Sequence, residues 1–279
     1  AAGVEGSSLY LKAGERITVR ELLYGLMLRS GNDAAVALAI ATAGSVDAFV
    51  SRMNEKAQAL GLEHTHFENP NGLDGEEHFS TARDLATLCV HAMENETFRT
   101  VVSSKSFTEH SRSFTNHNKL LWRVEGADGV KTGDTKKAGR ILAGSATRDG
   151  QRLICVTICD PDDWRDQQAL LEYGFSEFPA QTIVTAGETV GSVPVVGSKT
   201  QRVSLVTGTD FSYPVAEGET VETFLHAPEF VYAPVLPGAA GWLEVLVDGA
   251  QVSQVPVYYA QTAEELTPAR GFWKRIFGG

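Results

Sequence analysis

Apolar positions recur at helical spacing early in the chain and alternate later, and that change of period divides it. Leu22, Leu23, Leu26 and Met27 follow Thr18-Val19-Arg20-Glu21, in which a threonine and a glutamate are spaced to cap each other's backbone at a helix start. This first helix is predicted to stop at Ser30-Gly31-Asn32. A second, alanine-rich helix is predicted at once over 33–43, ending near Gly44. A third is predicted from Ser45 as its cap to Leu60, with Gly61 as its stop. Three helices with almost no loop between the first two make a compact helical lobe, and their junction places Ser30 and Asn32 at the exposed end of a rigid element. Upstream, Leu9-Tyr10-Leu11 followed by residues 12–15 reads as a short strand and turn.

Residues 64–77 are polar and rich in turn formers (Asn69-Pro70-Asn71-Gly72), which predicts a loop. A helix is predicted after Ser80-Thr81, carrying Leu85, Leu88 and Cys89 inward. The stretch 107–123 is mixed, with Asn116-His117-Asn118-Lys119 polar and Leu120-Leu121-Trp122 apolar. Strands are predicted over 129–132, 140–147 and 151–159, the last two joined by Arg148-Asp149-Gly150, a good hairpin turn. A helix over 162–175 closes this part. Beyond Pro179, Val, Thr, Gly and Pro dominate, and apolar positions alternate between turns from 181 to 259. That pattern predicts a second, all-β, sandwich-like domain. The expected division is 1–179, 180–261 and a tail over 262–279. In the tail Phe272, Trp273, Ile276 and Phe277 would form an apolar stripe flanked by Arg270, Lys274 and Arg275 on a helix. The same composition suits a helix lying in a membrane interface or one packed on its own domain.

Composition narrows the class. The 279 residues are 43% hydrophobic and 21% charged, ordinary for a globular protein. A net charge of −11 argues against nucleic acid, which demands a concentrated basic surface. No apolar run approaches the ~20 residues of a spanning helix. Cys155 and Cys159, four residues apart on one face of a predicted strand, would be separated by ~13 Å, beyond disulfide reach. All three cysteines, with Cys89, are expected to be free and buried.

Two triplets carry candidate chemistry: Ser30-Gly31-Asn32, and Lys131-Thr132-Gly133 about a hundred residues later. Hydrolysis through a serine needs a nucleophile, a base, oxyanion donors and a grip on substrate. A hydroxyl at Ser30 both donates and accepts, so it can relay a proton. The Asn32 amide can hold a substrate carbonyl or steady a lysine. Lys131 supplies a positive charge that favours a neutral amine nearby and attracts an anionic substrate end. Thr132 offers a hydroxyl to a carboxylate, Gly133 permits close approach to the strand, and the N–H of Asp134 is a candidate oxyanion donor. Either triplet alone is weak, since Ser-Gly-Asn also serves as a cap and turn. The order and setting of the pair matter more, one at a helix junction and the other on a strand that starts a hairpin sheet.

These triplets match two of three motifs of penicillin-recognising serine enzymes. Together with Gly6-Ser7-Ser8-Leu9, Leu28 to Ala34, Asp47-Ala48-Phe49-Val50, Leu60-Gly61-Leu62, Ser80-Thr81-Ala82-Arg83-Asp84, residues 128–133 and Tyr173-Gly174-Phe175, the chain resembles low-molecular-mass penicillin-binding proteins of the D-alanyl-D-alanine carboxypeptidase type. The resemblance implies an α+β, transpeptidase-like catalytic domain followed by the β domain and an anchoring tail. It implies release of a terminal D-Ala from peptidoglycan stem peptides through an acyl-enzyme. β-Lactams would acylate the same site, on the outer face of the cytoplasmic membrane. It implies no metal and no cofactor. In it Ser30 relays a proton, Asn32 orients groups, Lys131 and Thr132 hold the carboxylate, and Arg165 is similar in placement to an arginine near that carboxylate.

The third motif, Ser-x-x-Lys, should come first and carry the nucleophile. None of the nine lysines has Ser three residues before it. The nucleophile is therefore expected on an N-terminal part absent from this sequence, with the chain's own N-terminal fragment as a candidate second chain. Asp134 is a second departure, because an anion beside a carboxylate site is unusual. The alternatives are a nucleophile-less fragment or pseudoenzyme that binds stem peptides, and a class A-type β-lactamase, against which the β domain speaks. A metal site at His64, His66 and His78 is disfavoured, because the three share a loop without a Cys partner.

Overall fold

A computed structural model describes residues 1–266. The chain divides into two compact units, Ala1–Ser176 and Glu177–Gly279.

The first unit opens with α1 (Val19–Arg29), α2 (Asn32–Ala43) and α3 (Val46–Ala59). The Thr18–Glu21 capping box forms as expected: the Thr18 hydroxyl accepts the Glu21 N–H and the Glu21 carboxylate accepts the Thr18 N–H. Ser45 caps α3 through the Ala48 N–H. Then come α4 (Ala82–Ala92), capped by Thr81, and α5 (Glu96–Ser103), capped by Asn95. A short hairpin follows, β1 (Ser106–Glu109) with β2 (Arg112–Thr115), and then one helical turn, α6 (Leu120–Arg123). The hydrophobic period did not reveal α5 or the hairpin, because each is short and packs through few residues. Val101 and Phe114 share one core cluster with Leu22 and Leu28 of α1.

β3 (Ala127–Thr135), β4 (Gly139–Arg148) and β5 (Gln151–Ile158) form an antiparallel sheet in that order, and α7 (Asp163–Glu177) follows. Asp149 and Gly150 both take positive φ in the β4–β5 turn, the conformation a tight hairpin demands. The sheet is packed on both faces. Val130 and Ala143 join Met93 and Val102 on one side, and Leu142 joins Leu120 and Leu171 on the other. Full burial of one such leucine stabilises by about 1.5–3 kcal/mol.

The expected strand at Leu9-Tyr10-Leu11 does not form. The backbone there bonds to side chains instead. The buried Asp33 carboxylate accepts the N–H groups of Leu9 (2.9 Å) and Leu11 (3.0 Å), and Arg112 donates to the Leu9 carbonyl. Tyr10 between them has φ 59°, outside strand geometry.

The second unit is all β, as its alternation predicts. It holds β6 (Ala180–Val184), β7 (Thr189–Val196), β8 (Arg202–Thr207), β9 (Phe211–Pro214), β10 (Val221–His226), β11 (Val231–Tyr232), β12 (Ala239–Val247) and β13 (Ala250–Tyr259). Six of them make one sheet in the order β10-β12-β13-β8-β7-β11, and β6 pairs with β9. Val193, Leu205, Leu243, Val245, Val255 and Val257 build its core. After β13 the chain bridges back, Val235 to Ala263 and Ser198 to Glu265. The amphipathic stripe expected in the tail lies outside the described residues. Among the described residues no single helix is long and apolar enough to cross a membrane.

Candidate active site

The α1–α2 junction is built by a plug and a buried charge. Leu9 is buried against Gly25 and Gly31. A Cβ on Gly31 would stand 2.8 Å from Leu9 Cγ, so glycine is needed there. Asp33, 0% exposed, collects the N–H groups of Leu9, Leu11 and Ala34 and the Ser8 hydroxyl. Burial pushes its pKa up, but the N–H groups of Leu11 and Leu9, the Ser8 hydroxyl and the Ala34 N–H outweigh that and hold it below the usual carboxylate range. This carboxylate therefore pins the N-terminal strip to the head of α2.

Between these anchors Ser30 ends α1 in the left-handed conformation, φ 56° and ψ 39°. A non-glycine residue there is strained by roughly 1–2 kcal/mol. Asn32 is buried. Its side-chain amide donates to the Glu5 carbonyl at 2.7 Å and its backbone N–H donates to the Ser7 carbonyl at 2.8 Å. The structure thus places both members of the first triplet at one rigid corner.

Lys131 reaches that corner from β3. Its ammonium donates to the Ser30 hydroxyl, 101 residues away in sequence, and to the Thr132 carbonyl at 2.7 Å. Burial of the ammonium pulls its pKa down to about 8. Register and alternation put Lys131, Gly133 and Thr135 on one face of β3, and Thr132 and Asp134 on the other. Asp134 is exposed, with Arg140 as its register partner on β4.

Arg140 is in turn held by Asp163 at the start of α7, through Nη2–Oδ1 at 2.5 Å and Nε–Oδ2 at 3.2 Å. Its pKa is raised by the Asp163 hydrogen bond, with the charges of Asp163, Asp134 and Asp160 adding to it. The anion at Asp134 is therefore balanced on its own face, away from the Lys131 ammonium. Arg165 is not brought to the corner by any described contact. It is strongly exposed on α7 and pairs with Asp162 and Asp166.

The sequence offered no signal for His117. Its N–H donates to the Leu28 carbonyl at 3.1 Å, two residues before Ser30. Its pKa is lowered by burial first, then by the charges of Arg29 and Lys131. Asn116 and Asn118, both buried, brace the turn: Asn116 Oδ1 accepts the Asn118 N–H and Asn118 Oδ1 accepts the Leu120 N–H.

The cysteines depart from expectation. Cys89 is buried, Cys155 is half-buried, and Cys159 lies beyond the end of β5 at φ 55° and is exposed. The positive φ turns the chain out of the strand, so the alternation that would have hidden Cys159 does not continue.

Comparison with known proteins gives the chain its family. Residues 1–162 match the family described as D-alanyl-D-alanine carboxypeptidase, and residues 178–265 match the penicillin-binding protein 5 C-terminal domain. The chain is 33% identical over 269 residues to D-alanyl-D-alanine carboxypeptidase DacF of Bacillus subtilis, spanning 92% of this chain and 69% of that protein. It is 34% identical over 274 residues to DacA of Escherichia coli, spanning 94% and 67%. Among solved structures, penicillin binding protein 5 from Haemophilus influenzae aligns with a TM-score of 0.70 at 29% identity, over 94% of this chain and 79% of that one. The fold is thus a penicillin-recognising α+β domain followed by a domain of strands. The chain belongs to the D-alanyl-D-alanine carboxypeptidase family of low-molecular-mass penicillin-binding proteins.

Proposed function

We propose that this chain carries most of a serine-type D-alanyl-D-alanine carboxypeptidase site. The attacking Ser and its Lys would come from a segment outside these 279 residues. The observation that carries the reading is the contact between the Lys131 ammonium and the Ser30 hydroxyl. Ser30 relays the proton between the incoming nucleophile and the leaving amine. Lys131, cationic below about pH 8, holds the charge that makes this relay favourable and attracts the substrate carboxylate. Asn32, fixed by its bonds to Glu5 and Ser7, orients the groups at the corner. The free edge of β3, at Thr132, Gly133 and Asp134, receives the peptide backbone as an added strand. Arg165 acts only as a rim cation, since two carboxylates already engage it.

The sheet supports a companion segment. Among the described residues β5 pairs only with β4. It carries Leu153, Ile154, Cys155, Val156 and Ile158 on its two faces, yet none of its residues is fully buried. A strand apolar on both faces belongs inside a sheet, so β5 offers its outer edge to the segment that brings the nucleophile.

The substrate is the peptidoglycan stem peptide, and β-lactams acylate the same serine. Peptidoglycan lies outside the cytoplasm, which supports an extracytoplasmic site of action. Fluorescent penicillin tests the reading. The chain combined with its nucleophile segment takes up label slowly released by water, and it frees D-Ala from a peptide ending in D-Ala-D-Ala. Absence of both label and D-Ala release sinks the proposal, and rapid hydrolysis of the penicillin reassigns the site to a β-lactamase.

A further inference from the structure

We propose that Asp74 is a positioning residue, which straps the 68–77 loop to the end of β3 and so fixes the gap between the Asn32 corner and the strand edge. The proposal rests on the carboxypeptidase reading and adds to it a residue outside both triplets.

The loop is stiff in itself. The Asn69 side-chain carbonyl accepts the N–H groups of Gly72 (2.7 Å), Leu73 (3.2 Å) and Asn71 (3.3 Å), and its amide donates to the Leu73 carbonyl at 2.9 Å. Glu68 accepts the Glu77 N–H at 3.1 Å. At its base, His66 bridges to Phe79, and the Asn54 side chain of α3 bonds both the N–H and the carbonyl of Phe67 at 2.8 Å each.

This rigid body touches both corners of the site. On one side the Thr135 hydroxyl, at the last residue of β3, donates to Asp74 at 2.6 Å, and the Lys137 N–H donates to the other oxygen at 3.3 Å. The Lys137 ammonium adds a bond to the Gly75 carbonyl at 2.9 Å. Thr135 also accepts the Ala138 N–H at 3.0 Å, so the β3–β4 turn and the loop share one hydroxyl. On the other side Leu73 packs beside Gly6. A Cβ on Gly6 would stand 3.8 Å from Leu73 Cδ2 and 2.6 Å from Asn32 Nδ2. Residues 73 and 74 thus lean on the Asn32 corner and on β3 respectively. Asp74 and Thr135 lie 61 residues apart in sequence, and this bond brings the loop to the strand.

Held this way, the loop stands at the end of β3. A peptide laid on the strand meets a wall of fixed position, which favours binding through pre-organisation.

The test compares wild type, Asp74→Ala and Asp74→Asn in the intact enzyme, chain plus nucleophile segment. It reads steady-state kinetics on a D-Ala-D-Ala peptide and amide exchange at Lys137 and Ala138. Asp74→Ala is expected to lower kcat/KM by about tenfold, mostly through KM, with quicker exchange at both amides. Asp74→Asn keeps one acceptor and recovers part of both effects, and it stands in should the alanine variant melt early. Quicker exchange with kcat/KM within about twofold of wild type overturns the proposal, as does unchanged exchange. A wild type that neither binds nor cleaves the peptide overturns the carboxypeptidase reading itself and the proposal with it.

Discussion

The ammonium of Lys131, on β3, donates to the hydroxyl of Ser30, at the end of α1, across 101 residues of sequence. One bond thus joins the two triplets, and it joins a side chain whose charge is marginal to one whose backbone is strained. Removing either partner leaves the other in a site shaped for it.

Ser30→Ala deletes the relay and an acceptor of the Lys131 ammonium without opening a large cavity. Acylation by penicillin in the intact enzyme is expected to slow by about 10²–10³-fold, the scale of losing a positioned acid–base group. The melting temperature is expected to change little. Stopped-flow acylation rates beside a thermal melt check this, and a wild-type rate in the variant removes Ser30 from the mechanism.

Proton loss from Lys131 sets a pH limit. Burial lowers its pKa to about 8, so the cation is present below that pH and lost as pH rises through it. KM for a peptide with a free carboxylate is expected to climb above that point, by at most about tenfold per pH unit for a single proton. Lys131→Arg keeps its charge throughout and is expected to flatten the rise at a lower kcat. The profile of KM between pH 6 and 10, roughly two units either side of the transition, decides the matter.

Acid stability depends on Asp33. Its pKa is held below the usual value, so it contributes stability above an ordinary carboxylate pKa of about 3.9, and that stability is lost as pH falls through the folded value. Asp33→Asn is expected to cost about 2–4 kcal/mol near neutrality, because N–H groups of the N-terminal strip lose a charged acceptor. Its unfolding free energy is expected to depend less on pH between 5 and 2, the range over which a single such carboxylate titrates. Urea titrations at several pH values measure both.

Thiol chemistry separates the three cysteines. Burial raises Cys89 to about 11 and Cys155 to about 12, and Cys155 also lies against Gln167. Cys159 is exposed. A maleimide is expected to label Cys159 quickly in the native protein and the other two only after denaturation. Fast native labelling at Cys89 contradicts the packing of α4 against the sheet.

Much of the molecule was legible in the sequence where the determining interactions are local. The Thr18–Glu21 box, the Ser45 and Thr81 caps and the Asp149-Gly150 turn each rest on bonds within four residues, so residue type and spacing reveal them. The two triplets were legible for a different reason, their match in order and setting to known motifs, Ser30-Gly31-Asn32 at a helix stop and Lys131-Thr132-Gly133 on a strand that starts a hairpin sheet. What failed shows the boundary. Leu9-Tyr10-Leu11 has the composition of a strand, yet its N–H groups are satisfied by Asp33, more than twenty residues away.

The sequence by itself determined helices α1 to α4 and α7, the change of period between the two units, and the identity of the triplets, because each is written in residue type, short-range hydrogen bonds or hydrophobic spacing. Only the tertiary structure decided that Lys131 meets Ser30, that Asp134 is balanced by Arg140 on the opposite face, that Asp74 bonds to Thr135 and that His117 bonds to Leu28. Those contacts join residues from separate elements. Their partners are chosen by how the elements pack, and packing leaves no period in the chain from which they could be read.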